Sequence, residues 1–148
     1  MSENILIHSE EEFQKVKAAL MGLDINFFPQ SWKEKDWSDV TPGPYLIIID
    51  KVQLRGFLLC SVSDIDSQAH LLKIVVKPNH RGFGLGEKLL MGSVGHLSDR
   101  GIKRLYLEVS TDNVTAISLY EKLGFKKLIL KKKFYSNGSD AYAMSRDC

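Results

Sequence analysis

Apolar and polar residues alternate with two different periods along the chain, and the change of period separates predicted strands from predicted helices. The segment Asn4–His8 alternates at every second residue, which predicts a short first strand. Ser9, followed three residues later by Glu12, matches a capping box, in which each side chain binds the backbone N–H of the other residue. We therefore expect a helix to begin here and to run to about Met21.

A second helix is expected to begin after Ser31 and to carry Trp32 and Trp37. It must end before the segment Thr41–Pro44, because proline has no N–H to donate within a helix. Three segments rich in strand-forming residues follow this break. They are Tyr45–Ile49, Leu54–Val62 and Ala69–Val76.

The second half of the chain predicts a strand–loop–helix–strand unit. A loop rich in proline, asparagine and glycine, Lys77–Gly86, precedes an apolar stripe at helical spacing over about residues 87–99. The next strand, Arg104–Val109, alternates strictly and places Tyr106 and Glu108 on the face opposite its leucines. The remaining predicted elements are a helix, Asn113–Leu123, and a hairpin-like pair of strands, Lys126–Lys132 and Ala141–Ser145, around Asn137-Gly138.

The order of the predicted elements indicates a mixed α/β domain, and the composition is that of an ordinary globular protein. The 148 residues are 44% hydrophobic and 26% charged, which favours one domain over residues 1–148. A formal net charge of +2 gives no global positive field, so we expect no nucleic-acid partner. The lysines between positions 126 and 133 form a local basic run, expected to be a solvated edge or a contact with an anionic group.

Cysteine usage and apolar runs exclude other classes. Cys60 lies in an apolar run and is expected in the core, and Cys148 is the last residue, so there is no disulfide framework. No cysteine–histidine cluster has metal-ligand spacing, and we expect no bound metal. The start lacks a signal-peptide pattern and no apolar run has membrane-spanning length, which predicts a cytoplasmic protein without a membrane partner.

The loop Lys77–Gly86, which follows the predicted strand Ala69–Val76, has the composition of an anion-binding site. Glycines leave room for a ligand against the backbone, and the first amides of a helix have no partner within it. Arg81 can add a charge-assisted hydrogen bond. A tight turn without a ligand is the alternative explanation of the glycines. The candidate anion-binding residues are Arg81, Gly82, Phe83, Gly84, Leu85 and Gly86.

Two other phosphate-binding loops fit this segment less well. A Walker loop needs Lys-Ser/Thr after its last glycine, whereas Gly86 is followed by Glu87. A dinucleotide fingerprint needs its third glycine one residue later than here, with an acid at the end of the next strand. Glu108 roughly occupies that place, but the 40 residues after it leave no room for a second nucleotide-binding half.

The spacing Arg81-x-x-Gly84-x-Gly86 resembles the acetyl-CoA signature of the GNAT superfamily of N-acetyltransferases. Leu107–Val109, Asn113, Ala116 and Leu119–Phe125 are similar to that superfamily's second motif, so that the resemblance covers about residues 71–125. It implies a central, mixed, mostly antiparallel twisted sheet of about seven strands, flanked by about four helices. It also implies acetyl-CoA as cosubstrate.

Within the superfamily, the chain most resembles the ribosomal-protein alanine N-acetyltransferases and related protein Nα-acetyltransferases. The closing segment Tyr135–Met144 is similar to their Tyr…Gly…Asp-Ala…Met ending, and Phe27–Trp32 is similar to their Pro-x-x-Trp-Ser entry. Lys33 and Trp37 depart from that pattern and leave the acceptor open.

The resemblance implies two catalytic residues. The matching glutamate of these enzymes is a general base, which assigns that role to Glu108; by spacing alone, a salt-bridged strand glutamate is an equal alternative. The matching tyrosine protonates the departing thiolate, which assigns that role to Tyr120, whereas the helical stripe it shares with Ile117 indicates a core residue.

The resemblance also implies binding residues around these two. Asn113 is similar to an asparagine that contacts CoA, although it can equally cap the helix that follows. The backbone of Ile74, Val75 and Val76 is expected to run beside the pantetheine arm. Tyr135 and Trp32 are candidates for the acceptor entrance, with an ordinary surface aromatic as the alternative for Tyr135.

The sequence leaves three functions to be separated. The favoured one is acetyl transfer to a protein or peptide N-terminal α-amine by direct attack on acetyl-CoA. The second keeps the chemistry but uses a small-molecule amine or a lysine as acceptor. The third is a CoA-binding module without turnover. A monomer and a homodimer are both compatible with the sequence.

Overall fold

A computed structural model of the chain describes residues 4–148, and every element below lies within that range. It contains seven strands and four α-helices. The strands are β1 (Asn4–Leu6), β2 (Tyr45–Asp50), β3 (Gly56–Ser63), β4 (Gln68–Val76), β5 (Arg104–Ser110), β6 (Lys126–Lys131) and β7 (Ala141–Asp147). The helices are α1 (Glu10–Phe27), α2 (Glu34–Trp37), α3 (Leu85–Asp99) and α4 (Val114–Lys122).

The strands form one sheet in the order β1-β2-β3-β4-β5-β7-β6. Every neighbouring pair is antiparallel except β4 and β5, which are parallel and connected through α3. The last strand of the chain inserts between β5 and β6. The predicted class, a mixed and mostly antiparallel sheet flanked by helices, is confirmed.

Helices cover both faces of the sheet and make two separate cores. The first core joins α3 and α4 to one face through residues such as Leu89, Leu97 and Ile117. The second joins α1 and α2 to the other face through Phe13 and Trp37. The sheet therefore forms the middle layer of three.

A bulge in β4 decides which of its side chains face which core. Leu59 pairs with Lys73 and Cys60 pairs with Leu71, so Leu72 is one extra residue in β4. Leu71 belongs to the first core, whereas Val75, an even number of residues along, belongs to the second. Because one extra residue moves every later side chain to the opposite face, Lys73 points toward α1.

Strands β4 and β5 separate shortly after they begin. Their parallel pairing covers three residue pairs and ends at His70 and Tyr106. Beyond this point the two strands line a cleft, with Leu71–Ile74 on one side and Leu107–Ser110 on the other. This cleft is where the candidate site lies.

Most predicted elements are confirmed, but the bounds of the first two helices differ from the prediction. The capping box is present, with Ser9 Oγ accepting from Glu12 N at 3.1 Å, yet α1 continues six residues beyond the predicted end at Met21. No glycine at a left-handed position or proline interrupts it before Pro29. Helix α2 is shorter than predicted and begins at Glu34, so Trp32 lies in the connecting segment.

Two smaller corrections concern strand and helix starts. Strand β3 begins at Gly56 rather than Leu54, whose φ of 48° is incompatible with a strand. A side chain could not replace Gly56, because its Cβ would lie 2.5 Å from the carbonyl oxygen of Val75. Helix α3 begins at Leu85 rather than Glu87, so the last two residues of the glycine loop form its first turn.

Candidate active site

The cleft between β4 and β5 contains two adjoining hollows that share Leu71, Leu72, Lys73, Glu108 and Tyr135. The first, which we call the tyrosine hollow, extends to Ile74, Asn113 and Tyr120. The second, the tryptophan hollow, extends to Trp32, His70 and Phe134. Phe28 and Gln30 are also common to both, so Glu108 lies in the wall that the two hollows share.

The glycine loop leads from the end of β4 into the first turn of α3. Gly82 and Gly84 have φ of 87° and 81°, in the left-handed region that favours glycine, and Gly84 is the N-cap of α3. The first backbone bond of the helix is donated by Lys88 N to Gly84 O at 3.0 Å. The amides before it have no acceptor within the helix, so they present donors and a partial positive charge at this end.

The other predicted loop residues differ in exposure. Arg81 is exposed and its Nε donates to Val76 O at 2.8 Å, which ties the loop back to the end of β4. Phe83 is exposed and Leu85 is buried in the first core. Both also line a third hollow near the start of α3, together with His80 and Lys88. Gly86 approaches Val76, whose Cγ2 would lie 3.8 Å from an added Cβ.

Glu108 is held by His70 of β4 and Lys131 of β6. Its Oε1 is 2.5 Å from His70 Nε2, and its Oε2 accepts from Lys131 Nζ at 3.0 Å. The carboxylate is only 9% exposed. Burial acts to raise the pKa of Glu108, but the hydrogen bonds from His70 and Lys131 outweigh it and leave this pKa below its ordinary 4.5.

A second carboxylate, Asp24 of α1, pairs with Lys73 at a fully buried position. Lys73 Nζ lies 2.8 Å from Asp24 Oδ1, and the two side chains are 1% and 0% exposed. Asp24 Oδ2 accepts from Trp32 N at 2.9 Å and from Trp37 Nε1 at 3.1 Å. Burial lowers the pKa of Lys73 despite the opposing effect of Asp24.

The buried ammonium also fixes the wall of the tryptophan hollow. Lys73 Nζ donates to Gln30 O at 3.1 Å. It lies 4.3 Å from the ring centroid of Phe28 and 4.5 Å from that of Trp32, within cation–π distance of both. The segment between α1 and α2 is thereby attached to β4 by one side chain.

Tyr120 and Asn113 lie at the other end of the cleft. Tyr120 is 8% exposed within the first core, 5.6 Å from the ring of Phe125, and burial raises its pKa to about 12. Asn113 caps α4, with its Oδ1 accepting from Ala116 N at 3.2 Å. Both residues also line the tyrosine hollow, so a core or capping position and access to the cleft occur together.

The structure brings both predicted catalytic residues and four of the predicted binding residues to this cleft, whereas the glycine loop lies at the start of α3. Glu108, Tyr120, Asn113, Ile74 and Tyr135 meet in the tyrosine hollow, and Trp32 joins Glu108 and Tyr135 in the other. Val75 points away into the second core, and Val76 packs against the first, so these two can reach the cleft through their backbone only.

Sequence reasoning missed four of the charged residues around the cleft: Asp24, His70, Lys73 and Lys131. Lys73 carried a usable signal, because a lysine within the apolar run of β4 needs a counter-ion if that run is buried. His70 carried a weaker signal, because it is a polar residue near the start of a largely apolar strand. Nothing in the sequence connected Lys131 with Glu108, because it stood in a run of lysines interpreted as a solvated edge.

Within residues 4–148, no group of three or more histidine, cysteine, aspartate or glutamate side chains is arranged to hold a metal ion. Over the same range, the helices are too short or too polar to cross a membrane.

Comparison with known proteins identifies relatives of the same architecture. An Escherichia coli [ribosomal protein bS18]-alanine N-acetyltransferase is 32% identical over 106 residues, which cover 70% of this chain and 70% of that protein. The crystal structure of the E. coli ribosomal-protein-S18-alanine N-acetyltransferase superposes with a TM-score of 0.82 at 28% identity, covering 97% of this chain and 93% of that one. An N-alpha-acetyltransferase of Saccharolobus solfataricus is 40% identical over 80 residues.

Some of these matches cover part of the relative only. The aligned segment spans 53% of this chain and 48% of the Saccharolobus protein, and in another relative it spans 20% of the longer sequence. The model of the acetyltransferase (GNAT) family matches residues 9–125, which include α1, the glycine loop, Glu108 and α4. The chain therefore belongs to the acetyltransferase (GNAT) family.

Proposed function

We propose that this protein is an acetyl-CoA-dependent N-acetyltransferase whose acceptor is the α-amine of a protein or peptide N-terminus. Family membership supports the transfer chemistry. The relatives support the acceptor, because two of them are named for the alanine of ribosomal protein bS18 or for N-alpha-acetylation. The position of Glu108 at the junction of the two hollows is the observation that carries this proposal.

The start of α3 suits the diphosphate of CoA. Free amides at a helix N-terminus, preceded by glycines without side chains, make an anion site. An added Cβ at Gly82 or Gly84 would meet no protein atom within 4 Å, so this space is open to a ligand. In this proposal the rest of the cosubstrate follows β4 past Ile74, where the strand has separated from β5, and Asn113 borders it on the other side.

Glu108 suits an α-amine better than a lysine side chain. An α-ammonium has a pKa of about 7.7–8.0 and a lysine ammonium about 10.4, a difference of roughly 2.5 units. Each unit corresponds to about 1.4 kcal/mol, so deprotonating lysine costs about 3.5 kcal/mol more. A carboxylate whose pKa lies below its ordinary value is a weak base, and it therefore favours the more acidic ammonium.

Tyr120 suits the role of proton donor to the departing sulfur. Its raised pKa keeps the phenol protonated through neutral pH. A thiol has a pKa of about 8.5, so donation from a phenol near 12 is uphill by roughly 3.5 units on its own. We therefore expect the phenol to receive a proton from the acceptor nitrogen as it gives its own to sulfur, so that the tyrosine is not left ionised.

The test is mass spectrometry of a peptide library incubated with acetyl-CoA and the purified protein. Each peptide is made in two forms, one with a free N-terminus and one with a blocked N-terminus and an internal lysine. Acetylation confined to free N-termini, with release of CoA thiol, is the expected result. Modification of lysines alone would redirect the proposal to a lysine acceptor, and CoA binding without thiol release would leave a binding module.

A further inference from the structure

His70 contacts the proposed base but has no part in the mechanism above. Its Nε2 and Glu108 Oε1 are 2.5 Å apart, although the residues are separated by 38 positions in the chain. The other carboxylate oxygen is bound to Lys131. A protonated ammonium has no lone pair with which to accept a proton, whereas a neutral imidazole has one. Of the two partners, His70 is therefore the one to which Glu108 can pass a proton.

The imidazole is held in one orientation. His70 and Tyr106 are the last paired residues of β4 and β5, and their rings are stacked with centroids 4.3 Å apart and planes 9° apart. Glu108 is two residues beyond Tyr106 on the same face of β5. Strand pairing and ring stacking together keep Nε2 directed at the carboxylate.

A base that acts repeatedly must lose each proton that it takes. The carboxylate of Glu108 is 9% exposed, whereas the imidazole of His70 is 25% exposed and lines the tryptophan hollow. The hydrogen bond and positive charge of Lys131 act to lower the pKa of Glu108, so its protonated form is a stronger acid than an ordinary carboxyl and gives its proton to a neighbour more readily. Lys131 is more exposed still, at 39%, but its ammonium cannot accept a proton, so His70 is the neighbour that can carry the proton to solvent.

We propose that His70 is a positioning residue that holds the Glu108 carboxylate and relays the acceptor's proton from it to water. This role rests on the acetyltransferase function proposed above. In the neutral tautomer that carries its proton on Nδ1, Nε2 of His70 has a free lone pair. One proton leaves the ammonium nitrogen for Glu108, passes from Oε1 to this lone pair, and the imidazolium then releases one proton to water. One proton enters and one leaves, and exchange of the remaining ring proton with water between Nε2 and Nδ1 restores the starting tautomer.

The charged and titratable groups facing this pair come from three strands and a loop. Lys73 is on β4 with His70, Tyr106 is on β5 with Glu108, Lys131 ends β6, and Tyr135 lies in the segment after it. Tyr135 interacts with the Glu108 carboxylate, which contributes to the raised pKa of that phenol. Lys73 has Asp24 as its own counter-ion. Lys131 is therefore the lysine that pairs with Glu108, through the oxygen that His70 does not contact.

The experiment measures kcat against pH for wild type, His70→Gln and His70→Ala, with acetyl-CoA and a peptide with a free N-terminus, taken from those that the library identifies as substrates, at saturation. Glutamine can donate to the carboxylate but cannot carry a proton. We expect His70→Gln to lower kcat at least about tenfold with KM within about twofold, the pattern of a lost step rather than lost binding. A relay through His70 also predicts that the dependence of kcat on pH differs from wild type in both variants.

Wild-type kcat and an unchanged pH profile in His70→Gln would overturn the relay, because a purely structural hydrogen bond survives that substitution. His96→Gln, an exposed histidine of α3, is the matched control and should leave both unchanged. Thermal melting and calorimetric acetyl-CoA affinity verify that each variant is folded. If His70→Gln does not fold, His70→Asn replaces it, with the same two outcomes.

A readout that does not need turnover separates this inference from the proposed function. In protein labelled with ¹⁵N-histidine, Glu108→Gln should shift the ring-nitrogen resonances of His70 and leave those of His96 in place. Absence of that shift would overturn the contact between His70 and Glu108, whatever the activity. If Glu108→Gln shifts the His70 resonances but the wild-type protein acetylates no amine, the contact stands and the proposed function is overturned instead.

Discussion

Two carboxylates pair with residues of β4 that are three positions apart, and the two pairs differ in their access to solvent. Asp24 meets Lys73 between the sheet and α1, where neither side chain is exposed. Glu108 meets His70 at the edge of the cleft, where both are partly exposed. The bulge at Leu72 puts His70 and Lys73 on the same face of the strand, so one strand supplies both partners.

The partners differ as much as the exposure does. Asp24 has its oxygens occupied by an ammonium, a backbone amide and an indole N–H, all of them donors from rigidly packed groups. Glu108 has one oxygen on an imidazole, which can accept as well as donate. A carboxylate surrounded by fixed donors stabilises structure, whereas one that borders a hollow and a proton acceptor can do acid–base chemistry. Both carboxylates are largely buried, so burial alone does not separate them. Their access to a hollow and the chemistry of their partners do.

The largest expected effect is a loss of activity at Glu108, His70 and Lys131, which together form the cleft cluster. Glu108→Gln removes the basicity at nearly constant shape, and we expect kcat to fall about 10²–10⁴-fold, the usual contribution of a positioned base. Acetyl-CoA affinity, measured by calorimetry, should stay within about twofold, since the diphosphate site is at α3. Activity near the wild-type value would show that Glu108 is a structural carboxylate like Asp24.

The next largest effect is a loss of stability at Asp24 and Lys73, which together form the buried cluster. Asp24→Asn leaves the Lys73 ammonium without a counter-ion, and removing one partner of a buried ion pair costs about 3–5 kcal/mol. The free energy of unfolding, from urea denaturation, should therefore fall by about that amount. The pKa of Lys73, already lowered by burial, should fall further without Asp24. A neutral amine needs no counter-ion, so the loss should shrink as the pH rises.

Two variants control this measurement. The double variant Asp24→Asn/Lys73→Met should recover part of the stability, because it removes both charges from the interior. Glu108→Gln should lose less than Asp24→Asn, since its partners remain partly exposed. Equal losses at the two carboxylates would mean that solvent access does not distinguish the clusters.

How far the sequence reaches depends on whether a feature is local. The glycine loop, the capping box at Ser9 and the alternation that puts Glu108 on the polar face of β5 each depend on a few consecutive residues, and all three are present. The pairing of Asp24 with Lys73 joins positions 49 residues apart. It could not be found from spacing, because the bulge at Leu72 reverses the face on which Lys73 would otherwise lie.

The start of α2 illustrates the same limit. Trp32 was expected within the helix, but its backbone N–H donates to Asp24 Oδ2, a bond that holds it in the connecting segment. The bond depends on how α1 packs against the sheet, which no periodicity in residues 31–41 records. The roles assigned to Glu108, Tyr120 and the other site residues stay predictions until the variants are measured.

Tyr120→Phe extends the comparison to the first core. The residue is buried like Asp24 but lines the tyrosine hollow like Glu108, so a structural and a chemical role predict different losses. Without its hydroxyl, we expect kcat to fall about 10²-fold, the lower end for a lost proton donor. The melting temperature should change little, because the ring and its packing on Phe125 are retained. A large drop in melting temperature with full activity per folded molecule would make Tyr120 a core residue only.

Gly84→Val should have the smallest effect and should concern neither cluster. At a φ of 81° a β-branched residue is strained, and its side chain would occupy the space in front of the first amides of α3. We expect acetyl-CoA affinity to weaken about tenfold, roughly 1.4 kcal/mol, with kcat at saturation unchanged. Gly92→Val is the matched control, because Gly92 lies within α3, outside the positive-φ region, with no atom within 4 Å of an added Cβ. If Gly84→Val binds acetyl-CoA as tightly as Gly92→Val, the diphosphate does not bind at the start of α3. The acetyl group would then have to reach Glu108 from a different direction.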